Sequence, residues 1–330
     1  MKKALVSHVD LDGLGPIVLE ILYRKLLGFD KVFNIDYGWE EDHELITELS
    51  QFNEIVFADM CCSEMQYSWW KTTGIRVWVF DHHETAKPLT GMPDCVVDME
   101  RCGTKIFFDG YVKPLIGRYR PIVDDFIDLI NVYDLWRFED PLWGKALDLN
   151  RVMYKYAAWN AEKFTDKHDR FIISILRRLE NDAEFKFTPT ELRYIEEAKE
   201  KEEDAFQRAK ETLKIRRDHW GRKFGVFLAW GKISISASRL LYDTDENFDY
   251  VIAVQDYRDE FGKLSVRSRR GGDFYCTDLG IFGGHIEASG GQITPEQAKT
   301  FYEDDCLCFK YKREMKNEQD LFMRMENKTR

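Results

Sequence analysis

The sequence predicts an α/β protein with a parallel-sheet N-terminal domain, a helical extension, a long linking helix and a smaller α/β C-terminal domain. Three observations predict it. The first 83 residues alternate short β-type runs with amphipathic segments, the pattern of βα units that build a parallel sheet. The charge-rich run from Glu196 to Lys210 has few core-forming residues and reads as a solvated helix between domains. After Gly221 the strand-like runs return. The expected division is 1–187, 188–220 and 221–330.

Taken in order, the expected strands of the first half are Ala4 to Ser7, Lys31 to Ile35, Glu54 to Ala58 and Ile75 to Phe80. Between them, Leu14 to Leu27, Glu41 to Phe52 and Glu64 to Thr73 carry apolar residues at helical spacing, such as Leu19, Leu22 and Leu26. Beyond Asp98 the pattern turns helical, and Pro121 to Trp136 is expected to bury Ile122, Phe126, Leu129, Ile130 and Tyr133. Thr188 to His219, with Pro189 near its first turn, is expected to be the linking helix. Phe224 to Trp230, Tyr250 to Gln255 and Leu264 to Ser268 are the expected strands of the second domain, with Arg258 to Gly262 as a turn.

At 330 residues the chain exceeds what one hydrophobic core usually supports. With 44% apolar and 32% charged residues it reads as globular and not membrane-embedded. Met1-Lys2-Lys3 runs straight into a strand, and seven cysteines, an odd number, fit reduced thiols, so a cytoplasmic protein is expected. Cys306 and Cys308 lack a second ligand pair for zinc. The net charge of −11 argues against wrapping long nucleic acid, though arginines can still build a local phosphate site.

Every expected strand of the first half is followed by an acidic residue or a histidine. His8, Asp10 and Asp12 follow the first, Asp36 the second, Asp59 the third, and Asp81, His82 and His83 the fourth. In an open α/β sheet these carboxyl ends share one edge, where ligands bind. Several carboxylates gathered there would repel one another unless cations neutralise them. An imidazole and carboxylate set without thiolates suits Mn2+, with Mg2+, Zn2+, Co2+ or Fe2+ as alternatives. In His8-Val9-Asp10-Leu11-Asp12 the ligand types recur every second residue, which in an extended segment puts all three on one side. Gly13 would then turn the chain into a helix near Leu14. The competing reading is that Asp12 only caps that helix. Asp134, flanked by Tyr133 and Leu135-Trp136, is expected to be partly buried and to need a partner: a metal, Arg137 or a backbone cap.

In order along the chain, His8-x-Asp10-x-Asp12-Gly13, Asp59, Asp81-His82-His83 and Asp134 resemble the four motifs of the DHH phosphoesterases. Gly283-Gly284-His285-Ile286-Glu287-Ala288-Ser289-Gly290 is similar to the glycine-rich motif of their DHHA1 substrate domain. Leu264 to Ser268 resembles the strand carrying that domain's phosphate-binding arginine. The resemblance spans most of the chain and is nearest to stand-alone nanoRNases and RecJ-like exonucleases. Ile286 stands where proline is usual and Ser289 where alanine is usual; neither change removes a ligand. The resemblance implies one ion on His8, Asp10 and Asp59, and another on Asp12, Asp59, His82 and Asp134, with Asp59 bridging. Two ions on the order of 4 Å apart would share a water and bind phosphoryl oxygens. It also implies that His83 contacts the scissile phosphate, and that Asp81 orients a histidine ligand through its other ring nitrogen.

In the second domain, Arg267 and Arg269 are alternate residues leaving a strand just before Gly271-Gly272, so they are expected to share a face and to bind phosphate if that face is the cleft. A guanidinium fork suits phosphate, and a charged edge strand is the competing reading. Gly283-Gly284 would allow close backbone approach, and His285 would reach toward the metal centre. Tyr154, Tyr156 and Trp159 could stack on a base, although core packing is the more frequent role.

The expected function is a two-metal phosphodiesterase that hydrolyses short oligonucleotides or small nucleotide phosphodiesters, linear or cyclic, to mononucleotides. A phosphatase for 3′-phosphoadenosine 5′-phosphate is an alternative within the class. A protein that sequesters a nucleotide without cleaving it is the alternative outside it. The expected partners are a short oligonucleotide or small nucleotide, with no long duplex nucleic acid and no membrane, for a monomer or homodimer.

Overall fold

The computed structural model describes residues 1–36, 38–158, 168–218, 220–255, 262–269, 271–272, 274, 276, 283–285 and 287–303. The chain forms two compact units, Met1–Glu196 and Glu197–Arg330. In the first, β1 (Lys3–His8), α1 (Leu11–Leu22), α2 (Arg24–Leu27), β2 (Lys31–Ile35), α3 (His43–Leu49), β3 (Glu54–Ala58), α4 (Glu64–Thr72), β4 (Arg76–Asp81) and β5 (Cys95–Val97) precede the helices. Those are α5 (Gly103–Phe107), α6 (Lys113–Ile116), α7 (Ile122–Asp134), α8 (Trp143–Ala158), α9 (Asp169–Asn181) and α10 (Pro189–Thr212), the last running past Glu196.

The first sheet is all parallel, in the order β2-β1-β3-β4-β5. From β1 the chain steps out to β2 and then returns past β1 to β3, so the strand order reverses between β1 and β3. That reversal opens a crevice at the carboxyl ends of these two strands. Successive side chains of a strand face opposite ways, and Ala4, Leu5 and Val6 are buried in alternate cores. Leu5, Val56 and Phe80 pack in the core that takes in α1, α5, α7, α8 and α9; Ala4, Val6, Phe57 and Val79 pack in the one that takes in Leu49, Tyr67 and Trp70. Being covered on both sides, the strands read as continuous apolar runs.

The start of α1 corrects the sequence reading. Residues 8 to 12 are not one extended segment: β1 ends at His8, Asp10 is the N-cap with its backbone still extended, its carboxylate accepts from the Gly13 amide at 3.0 Å, and Asp12 is already helical. The helix begins at Leu11, so Gly13 lies in its first turn and makes no sharp bend. A Cβ on Gly13 would stand 2.1 Å from the His8 carbonyl oxygen, so glycine is required there by close approach. Further on, Pro16 has no amide to donate to the Asp12 carbonyl. The Thr104 hydroxyl donates to that oxygen at 2.5 Å instead. Thr104→Val is therefore expected to cost about 1–3 kcal/mol by leaving a buried carbonyl unpaired; denaturant unfolding checks it, and a loss below half of that would contradict it.

The linking helix is also shorter than expected. It ends at Thr212, and Lys214–Arg217 form a strand instead of a continuation toward residue 219. Its start is fixed by reciprocal caps: Glu191 Oε2 accepts from the Thr188 amide at 2.8 Å, and Thr188 Oγ1 from the Glu191 amide at 3.2 Å. Glu191 also lies 2.6 Å from Arg178, with both side chains buried. Burial opposes ionisation of Glu191, but the hydrogen bond and charge of Arg178, together with the bonds from the Thr188 amide and the Ser174 hydroxyl, outweigh it and lower the pKa. Its stabilisation is thus complete above the ordinary glutamate value and is lost as the pH falls through the lowered folded one. Glu191→Ala strands a buried guanidinium, and an expected loss of about 3–5 kcal/mol follows. Thermal unfolding at neutral pH measures it.

The second unit contains β6 (Lys214–Arg217), β7 (Lys223–Ala229), α11 (Ile233–Tyr242), β8 (Tyr250–Gln255), β9 (Gly262–Ser268), β10 (Gly283–His285), β11 (Ala288–Ile293) and α12 (Pro295–Glu303). Its sheet has the order β10-β11-β9-β8-β7-β6. Only β7 and β8 pair in parallel; the other pairs are antiparallel. Val226, Ile252 and Val266 pack with Ala298 and Phe301 of α12, while Phe227, Val251 and Ala253 pack with Leu240 and Leu241 of α11 and Phe206 of α10. The expected strands at 224–230, 250–255 and 264–268 are all present within a residue or two. Most of the expected turn at 258–262, together with Cys306 and Cys308, lies outside the described residues. No helix among the described residues is long and apolar enough to cross a membrane.

Candidate metal centre

The crevice between β1 and β3 is where the charged side chains meet. His8 ends β1, Asp10 and Asp12 enter α1, Asp59 follows β3, and Asp81 to His83 leave β4. Asp134 arrives from the last residue of α7. His8 Nδ1 lies 3.1 Å from Asp10 and 4.0 Å from Asp59 Oδ2. His82 Nε2 lies 3.3 Å from Asp59 Oδ1, 3.6 Å from Asp12 and 3.2 Å from Asp134. Asp59 therefore turns one carboxylate oxygen to each histidine. Donor atoms of His8, Asp10 and Asp59 fall within 4.8 Å of one another, as do those of Asp12, His82 and Asp134.

Local backbone explains how Asp59 and Asp12 are aimed. Asp59 has φ of +62°, a left-handed conformation that aspartate tolerates better than most residues. Its amide donates to the Phe80 carbonyl at 2.9 Å, tying the end of β3 to that of β4. Asp12 Oδ2 accepts from the Gly103 amide at 2.6 Å and Oδ1 from the Thr104 amide at 2.8 Å. Asn131 in turn accepts from the Cys102 amide at 2.9 Å, which fixes this turn against α7. Gly103, Thr104 and Asn131 were not singled out from the sequence. The only sequence signal is a small pair, Gly103-Thr104, opening an apolar helical run. A Cβ on Gly103 would stand 2.4 Å from Asp59 Cα, a backbone atom that cannot swing aside. Gly103→Ala is therefore expected to displace both Asp59 and Asp12, and to cut metal affinity by at least about tenfold by disturbing what orients them. Titration of metal-dependent thermal stabilisation would show it; wild-type affinity would contradict it.

The remaining strand-end aspartate departs from expectation. Asp81 Oδ1 accepts from the amides of His82 at 2.7 Å and His83 at 3.2 Å, and lies 2.7 Å from His83 Nδ1. Asp81 thus orients the His83 ring, not that of His82. Burial opposes both ionisations, yet the mutual charges prevail: Asp81 is held at about 2, and His83 is raised to about 9. Asp36, noted only as a strand-end residue in the sequence, lies 3.4 Å from His8 Nε2.

No family model and no curated protein matches the sequence. Solved structures do. The pGpG-specific phosphodiesterase PggH from Vibrio cholerae aligns over 91% of this chain and 95% of its own, at 12% identity and a TM-score of 0.52. The DHH domain of a protein assigned to a family of ribosomal proteins aligns over 92% of this chain and 85% of its own, at 14% identity and a TM-score of 0.51. RecJ from Thermus thermophilus, in complex with Mn2+, aligns over 91% of this chain and 50% of its own, at 18% identity and a TM-score of 0.51.

The chain has the DHH fold.

Both carboxylate oxygens of Asp59 and Oδ2 of Asp134 are buried and accept no hydrogen bond among the described residues. Burial first, then the charges of Asp12 and Asp10, push the Asp59 and Asp134 pKa values well above the ordinary carboxylate range. Burial also lowers the His82 pKa, with the neighbouring His83 charge adding to it, so His82 is a neutral imidazole suited to coordination. Burial holds the nearby Cys61 and Cys102 as thiols, which leaves an oxygen and nitrogen donor set. Such a set fits hard or borderline divalent cations, and their charge would offset the carboxylate repulsion.

The residues expected in the DHHA1-like half lie in the second unit. Arg267 is half-buried near the end of β9 and donates to Ser265 Oγ and the Val266 carbonyl, each at 2.9 Å. Arg269 lies beyond the strand, which stops at Ser268, so the two arginines do not form one strand face. The Arg269 guanidinium donates to the carbonyls of Phe248 at 2.8 Å and Leu241 at 2.9 Å, an anchor for the fold of this unit. Gly283 and Gly284 pair with Gly290 and Ser289, and His285 with Ala288, which in turn pairs with Arg267. His285 and Arg267 therefore occupy one row across three strands. Tyr154 is 55% exposed, Tyr156 packs edge-on against Tyr194 at 6.0 Å, and Trp159 lies outside the described residues.

Proposed function

We propose that the protein is a divalent-metal-dependent phosphodiesterase that cleaves short oligonucleotides or small nucleotide phosphodiesters, linear or cyclic, to mononucleotides. The observation that carries the reading is Asp59, buried and turned with one oxygen toward His8 and the other toward His82. A carboxylate so placed suits two adjacent cations. His8, Asp10 and Asp59 would hold one, and Asp12, Asp59, His82 and Asp134 the other. Bound there, the ions would activate a water and neutralise charge on the phosphoryl oxygens.

The protein's own groups supply the rest. His83, braced by Asp81, would donate to the scissile phosphate; in the second unit the residues proposed to bind substrate are Arg267, for a terminal phosphate, and Gly283, Gly284 and His285. Arg269 is assigned no substrate role, since its guanidinium is committed to two carbonyls. Mn2+ is the ion proposed, on the mixed imidazole and carboxylate donors. A short single-stranded or cyclic substrate, rather than a long duplex or a membrane, agrees with the net charge of −11. A cytoplasmic monomer or homodimer completes the reading.

The test is a product-resolved assay with Mn2+ across linear dinucleotides, cyclic dinucleotides and 3′-phosphoadenosine 5′-phosphate. Mononucleotide release from a dinucleotide is the expected result. Inorganic phosphate from the last substrate alone would make the protein a phosphatase. Binding without turnover would make it a sequestering protein and would refute the proposal.

A further inference from the structure

A cavity of about 360 Å3 opens in the second unit, lined by none of the residues of the metal centre. Lys201, Asp204, Ala205 and Arg208 of α10 form one side of it, and Trp230, Gly231 and Lys232, which join β7 to α11, form the other. Its size is at the lower end of the roughly 300–1,000 Å3 typical of small-molecule sites. The α10 residues fall at i, i+3, i+4 and i+7, so they share one helix face. Ala205 and Gly231 are the small residues of its lining, and Trp230 is 38% exposed. Gly231 and Lys232 both have positive φ, +78° and +50°, which turns the chain into α11. Lys232 is the N-cap of that helix and brings no side-chain oxygen to its first amides.

The pocket carries a cationic excess in an acidic protein. Lys201, Arg208 and Lys232 share the lining with Asp204, and Lys232 lies 3.7 Å from Glu202. Three cations against two carboxylates leave one positive charge. The pocket is also distinct from the row containing Arg267. Arg267 pairs through Val251 to Gly225, whereas Trp230 follows Ala229 at the other end of β7. Five residues of strand separate the two levels, roughly 16 Å.

We propose that this pocket binds a nucleoside monophosphate, independently of the metal centre. An indole face offers a platform for a base, and Arg208 and Lys201 can bind a phosphate at the rim. Asp204 can accept from an exocyclic amino group or a ribose hydroxyl. An inorganic anion would leave the ring unused, and a neutral aromatic would leave the cations unused.

Calorimetry with AMP, adenosine and inorganic phosphate in the presence of chelator tests this on the full chain. Saturable AMP binding is expected, unchanged in Asp59→Asn and weakened about tenfold or more in both Trp230→Ala and Arg208→Ala. Arg208 is exposed, so its replacement leaves the fold intact. Adenosine and phosphate alone should each bind at least about tenfold more weakly than AMP. Absence of AMP binding, binding unchanged in either pocket variant, or equal affinity for phosphate and AMP would overturn the proposal. Because no turnover is measured, none of these outcomes bears on the phosphodiesterase reading.

Discussion

Asp59→Asn is expected to lower kcat/KM for a dinucleotide by about a thousandfold or more, the rate equivalent of several kcal/mol of transition-state charge stabilisation. Both of its oxygens are committed to the crevice, one toward each histidine, so a single amide replacement disturbs both ligand groups. Asparagine preserves volume and tolerates the φ of +62°, which keeps the backbone out of the comparison. A second readout separates lost ligation from lost folding. In the metal-free protein Asp59 is a buried carboxylate opposed by Asp12, Asp10 and Asp134, so removing its charge should leave thermal stability equal or higher. Wild type should gain about 2.7 kcal/mol when Mn2+ is supplied at a hundred times its Kd, and the variant much less. An undiminished rate, or an undiminished Mn2+ stabilisation, would refute the assignment.

What can be read from the sequence about this crevice depends on how local the determining interaction is. A parallel strand buried on both faces reads as an unbroken apolar run, and its first polar residue marks the sheet edge. His8, Asp59 and the Asp81 to His83 stretch stand out for that reason. Asp134 is legible only through its bulky neighbours, because its place depends on how α7 packs. The Asp12 contacts to Gly103 and Thr104 close over some ninety residues of chain, and nothing nearby in sequence announces them. Conversely, the spacing of His8, Asp10 and Asp12 suggests an extended segment, but the Asp10 cap starts the helix at Leu11. The period-two reading fails there because a cap bond competes with extension. Short edge strands escape as well: β5 spans three residues and β6 four, too few to show a period. Arg269 is misread for a related reason, since only the strand's end at Ser268 decides which way its side chain leaves.

The fold also explains why these side chains can be so crowded. The order reversal between β1 and β3 gives a crevice whose walls are strand ends and helix starts, already held by backbone bonds. Asp12 spends its two oxygens on amides of the α5 turn and is therefore pre-set before any cation arrives. Asp59 is held by its amide bond to Phe80 and by the tight approach of Gly103. Repulsion among the carboxylates is thus borne by a rigid frame, and a cation would relieve it without moving the chain.

His82→Ala and His83→Ala are expected to fail differently, although the residues are adjacent and their rings lie 4.4 Å apart. His82 Nε2 sits within 3.6 Å of three aspartates, so removing it takes a donor from the group formed with Asp12 and Asp134. His82→Ala should therefore lose bound metal and, with it, nearly all activity. His83 is tied by Nδ1 to Asp81, which orients its ring, and its proposed role is to contact the scissile phosphate and not to hold metal. His83→Ala should keep metal content and Mn2+-dependent thermal stabilisation at wild-type levels while kcat falls about 10²–10³-fold, as when one preorganised donor to a developing charge is removed. Asp81→Asn should follow His83 and not His82, because the Asp81 carboxylate braces the His83 ring. Metal content by mass spectrometry beside kcat decides between them: equal metal loss in His82→Ala and His83→Ala would show that both histidines are ligands and that the division of labour drawn from Asp81 is wrong.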